Sequence, residues 1–329
     1  MTAANAWPDW CETLVVVASH EDATVGRALF AAAAHPFYNQ LSPGGRGGRP
    51  QLLFVEPTLD NDVLQGTIDL LRASTEADVP HHRWGLVVVL PESSAEVVAT
   101  ASIFLHTMGN DSSRQFFLSD DSVAESAFTV WQAPTFFHPI ALLASSTVGA
   151  DVVQQLKGAV WFAEQAKQAT PAENEAIQLA EFLSHGPTEI VVWHHALKQL
   201  ACGFAARMRN EIRVIDGCEN SARRRLLIAD SSIRRLHLVC DAVRRDRLGV
   251  IEPISPGETE IAGDGTIERF VPMPQPLVAD YDEVRAEEVA SGITSAEIRL
   301  SRLNDPAIGE LCAWLSTVLE IYSFVGTRT

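Results

Sequence analysis

Five short runs of mostly aliphatic residues constrain this chain more than any other feature. They are Thr13 to Ala18 (TLVVVA), Gln51 to Val55 (QLLFV), Trp84 to Leu90 (WGLVVVL), Glu189 to Trp193 (EIVVW) and Arg235 to Cys240 (RLHLVC). Each is too short for a helix, and several lack the polar alternation of a half-exposed strand, which suits strands buried on both faces. After the first run, Ser19-His20-Glu21-Asp22 offers N-cap chemistry for a helix to about Ala34. Ser42 to Pro50 (SPGGRGGRP) reads as a loop, and Asn61 to Ala73 and Ser94 to His106 read as helices. Weaker strands follow near Phe116 and over Ala127 to Trp131. Strand, helix, strand at this spacing means βαβ units and a parallel sheet.

From Pro139 to Gln168 the pattern is helical, and Ala169-Thr170-Pro171 punctuates it. Pro171 to Ser184 reads as a helix, after which the first plan starts again. Glu189 to Trp193 is followed by a helix over His195 to Arg209, a short strand over Ile212 to Ile215, and Arg235 to Cys240. Val250 to Val271, rich in Gly, Pro and Glu, reads as a surface excursion. Asp280 to Ala290 is a helix, Ala296 to Leu300 a strand, and Asp305 to Phe324 a long apolar helix. The expected fold is α/β: two tandem three-layer αβα domains with parallel sheets, residues 1–168 and 169–329, the second ending in the long helix.

Composition narrows the function. The 329 residues are about two domains' worth, and 42 Asp+Glu against 25 Lys+Arg give a formal charge of −17. That balance argues against a nucleic acid partner, which draws on clustered Lys and Arg. It leaves room for a small anion, which needs only a few donors at a helix N-terminus. With 47% apolar residues a large core is available. The five cysteines, Cys11, Cys202, Cys218, Cys240 and Cys312, are widely spaced without a C-x-x-C pair, so they read as small buried thiols and not as a metal or disulfide framework. The N-terminus lacks a signal-peptide pattern, and no apolar run is long enough to span a membrane, so a soluble cytoplasmic protein is expected. No Walker A loop, G-x-G-x-x-G, H-E-x-x-H or G-x-S-x-G occurs.

The order of elements resembles the sugar isomerase (SIS) fold, and specifically the bifunctional phosphoglucose/phosphomannose isomerases. Asn174 to Leu183 (NEAIQLAEFL) is similar to that family's N-x-A-x-x-L-A helix. Asn210-Glu211, placed at the end of the following helix, resembles its N-E-N segment, and Leu236 to Asp241 (LHLVCD) its later strand ending in an acid. Leu311 to Phe324 resembles its terminal helix, and TLVVVASHEDATVGRALF stands where it has a Gly-rich strand-to-helix turn. The resemblance implies aldose–ketose isomerisation of a sugar phosphate, with Glu211 as the base that moves a proton between C1 and C2. It also implies a homodimer, with the terminal helix either contributing to it or packing within its own domain, and no metal or cofactor.

The sequence departs from the family at several points. The segment matching its phosphate turn reads Glu56-Pro57-Thr58-Leu59-Asp60-Asn61-Asp62, with Thr58 the one hydroxyl among three carboxylates. The family's ring-opening His falls in a region that here reads Cys218 to Arg225 without a His, and its C-terminal Lys has no counterpart up to Thr329. The residues left to bind a sugar phosphate are Ser19, His20, Thr58, His194, His195, Arg223 and Arg224. His20 and His194-His195 follow equivalent strands, where open α/β sheets place ligands. Next to Glu21 and Asp22, His20 could also hold a metal or shuttle a proton. Arg213, Arg223, Arg224 and Arg225 are a local basic cluster able to clamp a phosphate or simply to face solvent. His81-His82 reads as a loop. ASHEDATVGRALF also resembles the start of a TIR domain, over that one segment. Two functions follow: a working isomerase, or a catalytically silent SIS protein that binds a sugar phosphate or a protein partner for regulation.

Overall fold

The computed structural model describes residues 11–57, 61–73, 83–90, 95–108, 115–119, 127–129, 135–208, 211–218, 226, 232–241 and 274–325. Strands β1 (Thr13–Val17), β2 (Gln51–Val55), β3 (Trp84–Leu90), β4 (Gln115–Ser119) and β5 (Ala127–Thr129) form one sheet in the order β2-β1-β3-β4-β5. Strands β6 (Thr188–Val192), β7 (Ile212–Asp216), β8 (Arg234–Cys240) and β9 (Ser295–Leu300) form a second in the order β7-β6-β8-β9. Every pairing in both sheets is parallel. The α/β reading with parallel sheets therefore holds.

The continuous apolar runs have a two-sided cause. In β1, Val15 and Val17 join Leu64, Ile68 and Phe104 from α2 (Asn61–Ala73) and α3 (Ala95–Met108). Leu14 and Val16 point the other way, to Ala23 of α1 (His20–Ala33) and to Ile140 and Ala144 of α4 (Pro139–Thr147). Alternation puts successive residues on opposite faces, so a strand covered on both needs apolar residues throughout. Gly26 lets α1 sit close to β2, since a Cβ there would meet the Phe54 ring at 2.6 Å.

The helical stretch after Pro139 is two helices, α4 and α5 (Val152–Gln168). Gly149, at φ +93°, turns the chain between them, and Asp151 caps α5 through the backbone N–H groups of Val153 and Gln154. The next helix, α6 (Glu175–Ser184), starts later than Pro171 because Asn174 is its N-cap. The expected helix from His195 to Arg209 is a 3₁₀ turn at His195–Leu197 followed by α7 (Lys198–Ala205). Glu211 thus does not end a helix: it stands one residue before β7. Helix α8 (Pro274–Ala290) starts earlier than Asp280, and the terminal helix α9 (Asp305–Val325) runs as expected.

One core cluster joins the two halves. Val25, Ala28, Leu29 and Ala32 of α1 pack with Leu197, Leu200, Ala201 and Phe204 around α7, and with Leu311, Leu315 and Val318 of α9. Helices α9 and α5 cross at van der Waals contact through two glycines. A Cβ on Gly158 would lie 2.0 Å from the Pro306 carbonyl oxygen, and one on Gly309 would lie 1.7 Å from that of Gln155. Gln155, fully buried here, hydrogen-bonds Ser145 and Asp305. The reading of small buried thiols fits Cys11 and Cys312, whereas Cys218 is exposed. No helix among the described residues is long and apolar enough to cross a membrane.

Candidate functional site

The C-terminal ends of β1 and β2 carry a compact set of ionisable groups. Ser19 caps α1: its hydroxyl accepts the Asp22 N–H at 3.2 Å and donates to the Asp22 carboxylate at 2.7 Å. One residue on, His20 Nδ1 lies 2.6 Å from Glu56, which stands just past β2. Arg27, two turns further along the same face of α1, donates to the same carboxylate and to the Phe54 carbonyl at 3.3 Å. Burial pushes the Glu56 carboxyl up, but the hydrogen bonds and charges of Arg27 and His20 outweigh it and hold the group below its ordinary value. His138, which precedes α4, brings Nε2 to 3.9 Å from Asp22. Pairing through Nδ1 leaves His20 with its Nε2 side toward solvent, the His side chain being 75% exposed.

Glu21 and Asp22 occupy the first turn of α1, where two carboxylates already offset the positive end of the helix dipole. One cationic donor reaches this turn from the second half. Arg207, just past α7, donates to the Glu21 carbonyl at 3.5 Å, while Gly203 faces Thr24 and Ala28. These contacts show that α1 and α7 run antiparallel, so the C-terminal end of α7 adjoins the N-terminal end of α1. The chain from Arg207 leads within four residues to Glu211. Glu211 stands at the N-terminal edge of the second sheet, where its carbonyl accepts the Thr188 N–H at 3.1 Å. Its side chain is 64% exposed and paired with Arg213.

No family model matches the sequence, and no curated protein matches it. Solved structures do. A hypothetical protein from Thermus thermophilus superposes with a TM-score of 0.75 at 16% identity, over 98% of this chain and 80% of that one. A glucose-6-phosphate isomerase from Chlamydia trachomatis gives 0.69 at 13% identity, over 98% of this chain and 66% of its own length. The C-terminal domain of glucosamine-fructose-6-phosphate aminotransferase from Francisella tularensis gives 0.55 at 9% identity, over 99% and 88%. The chain has the sugar isomerase fold.

Within this SIS fold the other expected residues divide. His194 and His195 follow β6 and open the 3₁₀ turn, where the His194 ring accepts the Ala196 N–H at 3.3 Å and His195 is exposed. Because α1 and α7 are antiparallel, this tip lies at the far end of α7 from Arg207, so the strand-tip histidines of the two halves do not converge. Thr58, Arg223, Arg224 and the His81-His82 pair lie outside the described residues. Among the described residues no group of three His, Cys, Asp or Glu could hold a metal ion.

Sequence reasoning missed Arg27, His138 and Arg207 as members of the first tip. It also missed Lys198, which pairs with Asp216 at 3.0 Å. That pair repeats the first tip's arrangement: a cation from the helix after the first strand meets an acid at the end of the second. A search for equivalent charged pairs between the halves would have found it. A separate groove of about 830 Å³ opens along the β9 edge, between α6, β9 and α9, with Glu175, Glu310, Phe182 and Trp314 among its walls. Burial, and then the charge of Glu175, push Glu310 up.

Proposed function

We propose that this protein binds a sugar phosphate at the β1 end of α1 and isomerises it between aldose and ketose, in the manner of phosphoglucose/phosphomannose isomerases. The observation that supports this reading is the Arg207 hydrogen bond to the Glu21 carbonyl at 3.5 Å, which joins the end of α7 to the first turn of α1. Glu211 takes the proton from C2 of the open-chain sugar and returns it to C1, while the hydroxyl proton on O2 passes to O1. His20, oriented by Glu56, is the group placed to move a proton at the ring oxygen. Ser19 supplies a hydroxyl, and His194 and His195 stand apart at the tip of β6, while Thr58, Arg223 and Arg224 lie outside the described residues. The neighbours' names support a sugar-phosphate ligand; the identities of 9–16% carry no residue roles.

A coupled assay with fructose 6-phosphate and mannose 6-phosphate tests the proposal. Turnover that Glu211→Gln abolishes and His20→Asn lowers is the expected result, and no turnover from a folded sample overturns it. One feature favours a second reading, a silent protein that binds sugar phosphate for regulation: Arg27 and His20 both face Glu56, leaving few cations for a phosphate at this turn. A thermal shift with sugar phosphates, without turnover, is what that reading expects.

A further inference from the structure

The two sheets share one strand order except at one edge. The order β7-β6-β8-β9 repeats β2-β1-β3-β4, so β9 stands where β4 stands in the first half. There β5 pairs parallel with the outer edge of β4. In the second half the chain passes from β9 directly into α9, and among the described residues no strand pairs with the outer edge of β9. On the inner side, the Thr294 and Leu300 carbonyls accept the Arg235 and Asp241 N–H groups. Backbone N–H and C=O groups change side at each residue, so Ser295, Glu297 and Arg299 turn theirs to the open edge. Such a row of backbone donors and acceptors is a template for another strand.

The groove of about 830 Å³ runs along this edge. Every residue from Ala296 to Arg302 lines it. Side chains alternate between the faces of a sheet, so a space that touches all of them reaches β9 from its edge. Ile298 and Leu300 face the core that α6 and α9 share, and Phe162 and Trp314 extend the apolar wall. Two carboxylates stand in the same wall: Glu310, one turn before Trp314 on α9, and Glu175, which opens α6. Neither has a hydrogen bond or ion pair among the described residues. The cations lining the groove do not compensate them, because Arg299 is bound to Glu297 and Asp241, and Arg302 pairs with neither Glu175 nor Glu310. The groove therefore offers an apolar surface with uncompensated negative charge beside an open strand edge.

We propose that this edge docks an extended peptide segment of a partner protein, which pairs with β9 in the place that β5 takes beside β4. On the face turned to the groove the segment carries apolar residues and a Lys or Arg, the cation meeting Glu175 and Glu310. Main-chain hydrogen bonds give such a contact its affinity, and the side chains at alternate positions give it specificity. None of these residues belongs to the strand-tip cluster, so the proposal stands apart from the sugar-phosphate reading.

Fluorescence polarisation of a labelled synthetic peptide with the full chain provides the test, with circular dichroism as a control for folding. The probe repeats valine, threonine, lysine, threonine, which sets valine and lysine on one face of a strand. Saturable binding is expected. Glu175→Gln together with Glu310→Gln is expected to weaken it by about tenfold or more, as is glutamate in place of the lysines of the probe. The same probe N-methylated at every peptide bond is expected not to bind, because it has lost its main-chain donors. Residue-resolved amide hydrogen exchange reads the pairing directly. The probe should slow exchange at Glu297 and Arg299 and leave Ala296 and Ile298, which face β8, unchanged. A wild type that does not bind, binding that survives N-methylation or the paired Gln variant, or Glu297 and Arg299 amides already protected without the probe overturns the proposal.

Discussion

The layers between β3 and α3 and between β8 and α8 follow one topology with opposite contents. In the first half Leu86 and Val88 of β3 meet Val97, Ala101 and Phe104 of α3, all apolar. In the second, Arg235 and His237 of β8 meet Glu288 of α8, and these three are at most 2% exposed. Trp193 Nε1 donates to His237 Nδ1 at 3.0 Å, so the His237 proton must be on Nε2, which points to Glu288 at 3.0 Å. Arg235 binds both Glu189 and Glu288, and Arg285 reaches the same carboxylate at 2.7 Å. Burial pushes Glu288 up, but the hydrogen bonds from His237 and Arg285 and the charge of Arg285 more than compensate and hold it down to about 2. The first half thus keeps its ionisable groups at the solvent edge of its strands, where a ligand can reach them. The second encloses a comparable set inside, where they can only hold α8 to the sheet.

That contrast makes stability and activity separable, and four measurements test it. The largest effect is expected from Glu288→Ala, which leaves Arg235 and His237 buried against a lost partner. Urea denaturation should show a loss of about 3 kcal/mol or more, and a loss below about 1 would mean the network is not structural. Acid should act through the same group. A carboxyl at 4.5 unfolded and about 2 folded stabilises fully above about pH 5. As pH falls toward 2, about 3 kcal/mol is expected to disappear. In Glu288→Gln that share of the acid slope should disappear, leaving the smaller part that Glu56 and Glu297, also held below their ordinary values, contribute.

Glu56→Gln sharpens the other side. Its side chain is 25% exposed, so a stability cost of about 1 kcal/mol or less is expected, with a marked loss of isomerase turnover as His20 loses its partner. The smallest effect belongs to His195→Ala, a change of about 0.5 kcal/mol or less at an exposed site. Turnover should be unchanged as well, because that tip faces the far end of α7. A loss of turnover there would break the separation of the two strand tips.

Much of the fold was legible in the residues. Runs such as TLVVVA and WGLVVVL admit one environment, a strand covered on both faces, and Ser19, Asp151 and Asn174 mark helix starts by their capping chemistry. The site was legible in part. The polar turn at Ser19-His20-Glu21-Asp22 stood out, but its partners did not, because Glu56 and His138 lie 36 and 118 residues from His20 along the chain. The equivalence of His194-His195 with His20 is one of topology, each following the first strand of its half. Equivalent strands repeat, but the antiparallel packing of α1 and α7 turns the two tips to opposite ends.

The sequence by itself determined the strands, the helices and the repeated α/β plan, because periodicity and capping act over a few residues. The tertiary structure alone decided which charges sit at an open edge and which inside. That choice depends on which helix covers each sheet face, and on how closely Gly158 and Gly309 let α5 and α9 approach. Such contacts join residues far apart in the chain, and no local pattern specifies them.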